Sequence, residues 1–237
     1  MPTIFQYHPD VLTSYPDIVG GVILAEGVTN GPTPADLLRI YQDEQKAVLD
    51  RIGSTPLSEI DSLNAWRRAF RAFGANPTKY RCAAEALLRR LTKKGDIPSI
   101  IGLVDLANMV SIRYGLPVAA FNTKAIQGPI MVHFSDETEW FMPLGQSEPE
   151  HPAEGEVIFS DEHRMVVARR WCWRQSAESA AGPDTTRVIF TVEAQHAAGR
   201  QGVEGALDDL LEYLPSFFGG VFHSVVLDAK QPVFRAS

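Results

Sequence analysis

Apolar residues recur at helical spacing in the first part of the chain and at strand spacing further on. Two short apolar runs, at 4–7 and 18–25, predict strands. Apolar residues then repeat every three or four positions, and the segments begin at Thr-Pro pairs or end at glycines, as helices commonly do. Helices are predicted at 33–53, beginning at a Thr33 cap, at 55–74, at about 80–95 and at 99–114. Apolar residues cover nearly every side of the last of these, which predicts a helix buried all round.

Beyond Pro117, short segments rich in β-branched and aromatic residues predict strands separated by turns. These strands are expected at 118–121, 129–134, 138–142, 156–160, 165–173 and 187–193. An amphipathic helix at 203–214, ended by Pro215, and a strand at 217–227 follow. Helices first and strands afterwards, without regular alternation, indicate an α+β fold.

The architecture expected from this order is a helical N-terminal part packed on a mixed or antiparallel, sandwich-like sheet core. The length of 237 residues fits one domain over 1–237. Its parts would be strands and helices at 1–74, a core at 75–195, and a C-terminal helix and strand at 196–237.

Composition narrows the class of protein. Apolar residues make up 45% and charged residues 22%, which excludes a disordered chain or a collagen-like rod. No apolar run is long enough to span a bilayer, and no basic residue precedes Arg39, so neither a membrane span nor a signal peptide is predicted. Cys82 and Cys172 stand far apart in the sequence, which favours a reducing compartment without disulfides. We expect a cytoplasmic protein.

Charge is unevenly distributed. The net charge is −7, yet the window 66–94 holds nine basic residues and one acid, Glu85, so it carries +8 and the remainder −15. Because salt screens charges over about 10 Å, such a patch can bind phosphates although the whole chain is acidic. A solvated helix face is the alternative.

Common enzyme motifs are absent: the sequence has no phosphate-binding loop, dinucleotide fingerprint, zinc-protease helix or serine-hydrolase elbow. Six dispersed histidines have no metal-ligand spacing, so no metal and no cofactor are predicted. Asp105 and Asn108 share one face of the buried helix, either as a structural clamp or as the lining of a pocket. Gly20 and Gly21, inside a strand, indicate close backbone packing.

Whole segments resemble a known family. The run IIGLVDLANMVSIRYGLPVAAFN, 100–122, is similar to the segment of the phenylalanyl-tRNA synthetase beta subunit that holds its editing site. The matching residues are Val104, Asp105, Asn108, Gly115, Pro117, Ala120 and Phe121. GPIMVHF followed by Glu139 resembles the next hairpin, and TTRVIFTVEA resembles the strand with the family's pocket glutamate, here Glu193.

Free-standing proteins that contain only this B3/B4 tRNA-editing module are more similar still. They share, between about Gly74 and Glu193, the segments NPTKYR, EALLRRL, LVDLAN, GEVIFSDE and RRWCWR. In the synthetase, the domain hydrolyses the ester of tyrosine wrongly attached to the phenylalanine tRNA. The resemblance therefore implies a B3/B4-type fold and a pocket for an aminoacyl group.

The resemblance also implies site residues. Glu193 and Asn108 would form the catalytic pocket, and His133 would replace the family histidine, which is Ala119 here. The implied substrate-binding residues are Phe121, Asn122, Glu139, Trp171, Trp173 and Arg174. Trp171 and Trp173 either stack on the ligand or, two apart on a strand, share one face and fill the core. RNA phosphates would contact Lys79, Tyr80, Arg81, Arg89, Arg90, Lys93 and Lys94.

The function expected from the resemblance is hydrolysis of mischarged aminoacyl-tRNA in trans, without ligase activity, because the chain is too short to include the aminoacylation core. The partners would be tRNA or aminoacyl-tRNA and an amino acid in the pocket, with no DNA and no membrane. A non-catalytic binder of an amino acid or metabolite, which Ala119 favours, stays an alternative. A protein-interaction module with an acidic partner is another. The sequence leaves open which amino acid and which tRNA are recognised.

Overall fold

The computed structural model describes residues 2–235, which form six α-helices and ten β-strands. The helices are α1 (Pro9–Ser14), α2 (Ala35–Ile52), α3 (Asp61–Ala72), α4 (Ala83–Lys94), α5 (Gly102–Tyr114) and α6 (Gly199–Phe218). The strands are β1 (Thr3–Tyr7), β2 (Val19–Glu26), β3 (Val118–Asn122), β4 (Ile130–Phe134), β5 (Val157–Ser160), β6 (Val166–Arg169), β7 (Arg174–Gln175), β8 (Arg187–Ala194), β9 (Val221–Leu227) and β10 (Val233–Arg235). No helix within 2–235 is both long and apolar enough to cross a membrane.

The strands form two sheets. One has six strands in the order β10-β1-β4-β5-β6-β7 and is mixed, because β1 and β4 run parallel while the other pairs are antiparallel. The second has four antiparallel strands in the order β3-β8-β2-β9. The predicted α+β fold is confirmed.

The main core is one cluster that runs from the helices through the four-stranded sheet to buried residues of the six-stranded sheet. The interior of β2 is buried because this strand runs between β8 and β9, and α6 packs across β2 and β8. The helix α5 packs between α2 and α6, so nine of its thirteen residues are buried. This position explains why its sequence is apolar on nearly every side. Ile100, just before α5, departs from that expectation and is exposed.

Several elements of the structure differ from the prediction in their type or boundaries. The segment 55–74 is a 3-10 turn, Leu57–Glu59, followed by α3, because Ile60 has an extended backbone (ψ 119°). Residues 138–142 make only isolated bridges, and Pro143 has no N–H with which to continue a ladder. Pro215 does not end α6: the helix continues to Phe218, whose burial with Leu214 holds the last turn.

The start of α2 also differs from the prediction. Thr33 makes no cap there; the N-cap residue is Pro34, and the Thr33 hydroxyl donates to Asp105 instead. Two short elements were not predicted from the sequence. One is α1, which the Nδ1 of His8 caps by accepting from the Asp10 N–H (3.3 Å), and the other is β10, which pairs with β1.

Candidate functional site

A cavity of about 170 Å³ opens between the start of α4, α5, β3, β8 and the turn that joins β6 to β7. A cavity of about 150 Å³ holds a benzene ring, so this one has room for an amino-acid side chain. Its walls are mostly small or apolar, and its polar groups are few. The lining residues include Asn108, Ala119, Phe121, Trp171, Arg174 and Glu193.

Glu193 is the buried acid of this cavity. Its Oε1 accepts hydrogen bonds from the Tyr7 hydroxyl (2.6 Å) and from the Trp171 indole N–H (3.1 Å). Burial raises the pKa of Glu193 to about 7, although both hydrogen bonds act to lower it. Among residues 2–235, no group donates to Oε2, so this oxygen is available to a ligand. At neutral pH the carboxyl group can accept a hydrogen bond when ionised or donate one when protonated.

A glycine in the neighbouring strand makes this arrangement sterically possible. Gly20 lies opposite Glu193 in the β2–β8 register, and a Cβ at Gly20 would stand 2.2 Å from the Tyr7 hydroxyl. A Cβ at Gly21 would likewise stand 2.8 Å from Leu207 Cγ. The predicted close packing at the glycine pair is therefore confirmed. At Gly20 it lets the phenol reach the carboxylate.

The two tryptophans do not share a face, so that expectation was wrong. Arg170 and Trp171 have φ values of 44° and 59°, which turn the chain after β6 and break the alternation of a strand. Trp171 is fully buried, with its ring centroid 5.2 Å from that of Trp66. Trp173 is half-buried and lies beside Tyr80, with ring centroids 4.9 Å apart.

Of the two roles predicted for Asp105 and Asn108, a structural clamp and the lining of a pocket, each residue takes one. Asp105 is the clamp: it is fully buried and accepts hydrogen bonds from the Thr33 hydroxyl (2.6 Å), the Ile100 N–H (2.9 Å) and the Ser99 hydroxyl. Asn108, one turn further along α5, lines the cavity.

Besides Trp173, which lines the groove described below, three catalytic or substrate-binding candidates lie outside the cavity. The Nε2 of His133 pairs with the Ser160 hydroxyl (2.7 Å) and its Nδ1 with the Phe134 carbonyl (2.9 Å). Glu139 accepts from the Ser135 hydroxyl (2.7 Å), and its carboxylate lies 3.9 Å from His133. Asn122, at the end of β3, accepts from the Lys124 N–H (3.1 Å). The structure does not bring these three side chains to the cavity, because local partners hold each of them elsewhere.

The part of the basic window from Lys79 to Lys94 lines a groove beside the cavity. The groove is lined by Lys79, Arg81, Ala86, Arg89, Arg90, Lys93, Lys94, Trp173 and Arg174. Buried Glu85 pairs with Arg81 (3.6 Å) and with Arg67 outside the groove (2.8 Å), while Arg90 lies 3.7 Å from Asp96. Among residues 2–235, the other cations of the groove have no carboxylate oxygen within 4.0 Å. The RNA-binding candidates thus meet on one concave surface, with Tyr80 at its edge against Trp173.

Cavity and groove share a residue. Arg174, exposed at the start of β7, lines both. Just before it in sequence, Cys172 lines the cavity and Trp173 lines the groove. A ligand that fills the cavity and extends out of it past Arg174 would therefore contact the cations of the groove.

Three features of this site were not predicted from the sequence. Tyr7, the partner of Glu193, lies 186 residues away in sequence, and only the glycine at position 20 signalled a close approach. The Gln175 amide donates to the carbonyls of Ala120 (3.0 Å) and Ser179 (2.6 Å) at the wall. Cys172 lies beside Cys82: burial raises the pKa of the Cys172 thiol well above its ordinary value, and the Cys82 thiol raises it further.

Comparison with known proteins gives a family match and similarities to solved structures. Residues 65–203, more than half of the chain, match the B3/4 domain family. The fold is similar to the crystal structure of an N-terminal fragment of the phenylalanyl-tRNA synthetase beta subunit from Pyrococcus horikoshii, with 13% sequence identity and a TM-score of 0.49. The similarity covers 94% of this chain and 53% of that one, so this chain spans about half the length of that fragment. No curated protein matches the sequence.

Proposed function

This chain belongs to the B3/4 domain family, and we propose that it binds the aminoacyl end of a charged tRNA and hydrolyses, in trans, the ester of a wrongly attached amino acid. The observation that carries the proposal is the junction at Arg174, where a cavity of side-chain size meets a groove of cations. An aminoacyl-tRNA matches this arrangement, because it carries an amino acid at the end of an RNA strand whose phosphates are negatively charged.

Selection of the amino acid would occur at Glu193. A polar group on the bound side chain would hydrogen-bond to Oε2, the oxygen that Tyr7 and Trp171 leave unused. Asn108 supplies a second polar group to the cavity. An apolar side chain would leave the carboxyl group buried and without that partner, and such mismatches discriminate strongly between ligands. The substrate class is therefore an amino acid whose side chain carries a hydroxyl or amino group.

Hydrolysis would use a water molecule and no covalent intermediate. The water oxygen attacks the ester carbonyl carbon, the bond from that carbon to the ribose oxygen breaks, and a free amino acid and a tRNA with its terminal hydroxyl leave. An aminoacyl ester is already reactive, so positioning of the ester and water supplies much of the rate. One proton of the water passes to the ribose oxygen as its bond to the carbonyl carbon breaks, so the step balances without Glu193, whose two oxygens are occupied by Tyr7, Trp171 and the bound side chain.

A second candidate function is binding without catalysis. Ala119 lines the cavity at the position where the resembling family has a histidine, and no lining residue of the cavity within 2–235 is a histidine. A binder of a free amino acid or related metabolite would need the cavity and Glu193 but neither a base nor the groove.

Deacylation of a panel of mischarged tRNAs separates the two functions. We expect the purified protein to hydrolyse one or a few members, and Glu193→Gln and Asn108→Ala to slow that hydrolysis at least tenfold. Glu204→Gln, a change at an exposed carboxylate of α6, serves as the control and should leave the rate unchanged. A folded protein that hydrolyses no member, yet binds a free amino acid in calorimetry, would replace hydrolysis by the binding function.

A further inference from the structure

An aromatic and cationic cluster stands at the edge of the groove. It consists of Tyr80, Arg170, Trp173 and Arg174, and we call it the Trp173 platform. The Arg170 guanidinium carbon lies 3.9 Å from the Tyr80 ring centroid and 4.6 Å from that of Trp173. The Arg174 guanidinium carbon lies 4.5 Å from the Trp173 centroid. The platform therefore combines aromatic rings with guanidinium groups that lie over them.

The platform is partly accessible: the Arg170 side chain is largely buried and lies 3.6 Å from the Glu156 carboxylate. Tyr80 and Trp173 are half-buried, and Arg174 is exposed and has no ion-pair partner within residues 2–235. Tyr80 also lies beneath Lys79, whose Nζ is 5.0 Å from the ring centroid. A flat aromatic ligand can stack on the Trp173 indole in place of Arg174, or on the guanidinium plane itself.

Stacking surfaces next to a positively charged groove are the arrangement by which proteins bind single-stranded nucleic acid. We infer that the Trp173 platform stacks a nucleobase of a single-stranded RNA end whose phosphates lie along the cations of α4. This inference rests on the proposed function, and it adds that the protein recognises an unpaired base at the end of the RNA. It predicts recognition of unpaired bases, whereas charge alone would accept any polyanion.

The short span of the cations on α4 limits how much RNA is held. The four groove cations of this helix lie between Arg89 and Lys94 and span about 8 Å of it. The other groove cations, Lys79, Arg81 and Arg174, lie close by, so a short single strand can contact the whole groove. A six-nucleotide strand should contain every element that the platform and groove recognise.

The test compares two strands of equal charge. One is a six-nucleotide single-stranded RNA, and the other is an abasic strand with the same sugars and phosphates but no bases. Stacking on an aromatic side chain makes the base-bearing strand bind about 5- to 150-fold more tightly. Trp173→Ala should remove this difference, Trp173→Phe should keep most of it, and Lys93→Ala should weaken both strands alike.

Arg174→Ala checks the platform at an exposed side chain, where a folding defect is not expected. It should weaken binding of the base-bearing strand by about fivefold or more and weaken binding of the abasic strand less, because both strands lose a cation but only the first loses a stacking partner. Lys230→Ala, at an exposed lysine outside the groove, is the matched control. Equal affinity for the two strands would overturn the inference, as would polyglutamate competing as well as the base-bearing strand, since either result leaves only charge recognition.

The deacylation assay keeps this inference distinct from the proposed function. A protein that prefers the base-bearing strand but hydrolyses no aminoacyl-tRNA retains the platform and loses the hydrolytic function. A protein that deacylates tRNA equally well with and without Trp173 retains the function and loses the platform.

Discussion

Replacing Glu193 with glutamine should change how the stability of the fold depends on pH. In the unfolded chain the carboxyl group titrates near its ordinary pKa of 4.5, and burial raises the pKa in the folded protein to about 7. Between these values the folded state binds more protons than the unfolded state. Stability contributed by Glu193 is therefore present at low pH and is lost as the pH rises towards 7.

The size of this effect follows from the two pKa values. At about 1.36 kcal/mol per pH unit, the full difference between 4.5 and about 7 amounts to about 3 kcal/mol, of which about 2.5 kcal/mol falls between pH 5 and pH 8. Glutamine keeps an oxygen that can accept from Tyr7 and Trp171 but does not titrate. The variant should therefore lack this loss of stability.

Urea unfolding at pH 5, 6, 7 and 8, with wild type and Glu193→Gln side by side, measures the difference. The contributions of all other titrating groups cancel in the comparison of the two proteins at each pH. We expect the free energy of unfolding of the variant, relative to that of wild type, to rise by about 2–3 kcal/mol from pH 5 to pH 8. Parallel stability curves for the two proteins would show that Glu193 keeps an ordinary pKa, and the assignment of a buried, largely desolvated carboxyl group would be refuted.

Further predictions concern the packing, the clamp, the groove and one excluded residue. Gly20→Ala should cost about 1–3 kcal/mol in thermal unfolding, because its Cβ displaces the Tyr7 hydroxyl; an unchanged melting temperature would contradict this. Asp105→Ala should lower the free energy of unfolding in urea by about 2 kcal/mol, because three donors lose their acceptor. If four phosphates bind the groove, RNA affinity should fall about 50-fold from 50 to 200 mM salt, as measured by fluorescence anisotropy, and a flat response would exclude phosphate contacts. His133→Ala should leave deacylation unchanged, since its ring is held by Ser160 outside the cavity.

Much of the element pattern was predictable, because helix pitch and strand alternation act on near neighbours in sequence. The α5 pattern, for example, predicted a helix buried on nearly all sides, and the structure packs it between α2 and α6. The errors fall where distant packing overrides a local signal. Pro215 is a helix breaker by itself, yet the burial of Leu214 and Phe218 carries α6 past it.

The candidate site was predictable only in part. The resemblance pointed to Glu193 and Asn108, and both line the cavity. It also pointed to His133 and Glu139, which the structure holds elsewhere through Ser160 and Ser135. A motif specifies residue types along the chain, whereas the set of side chains that line a cavity depends on which way each strand faces.

By itself, the sequence determined the α+β class, the family and the clustering of cations in 66–94, since these depend on composition and on spacing within short segments. Only the tertiary structure decided that Tyr7 reaches Glu193 from 186 residues away, and that the left-handed backbone at Arg170 and Trp171 sends Trp171 into the core and Trp173 to the groove. It also decided that Arg174 joins the cavity to the groove. The physical reason is that these contacts are set by the packing of elements distant in sequence, which no local periodicity records.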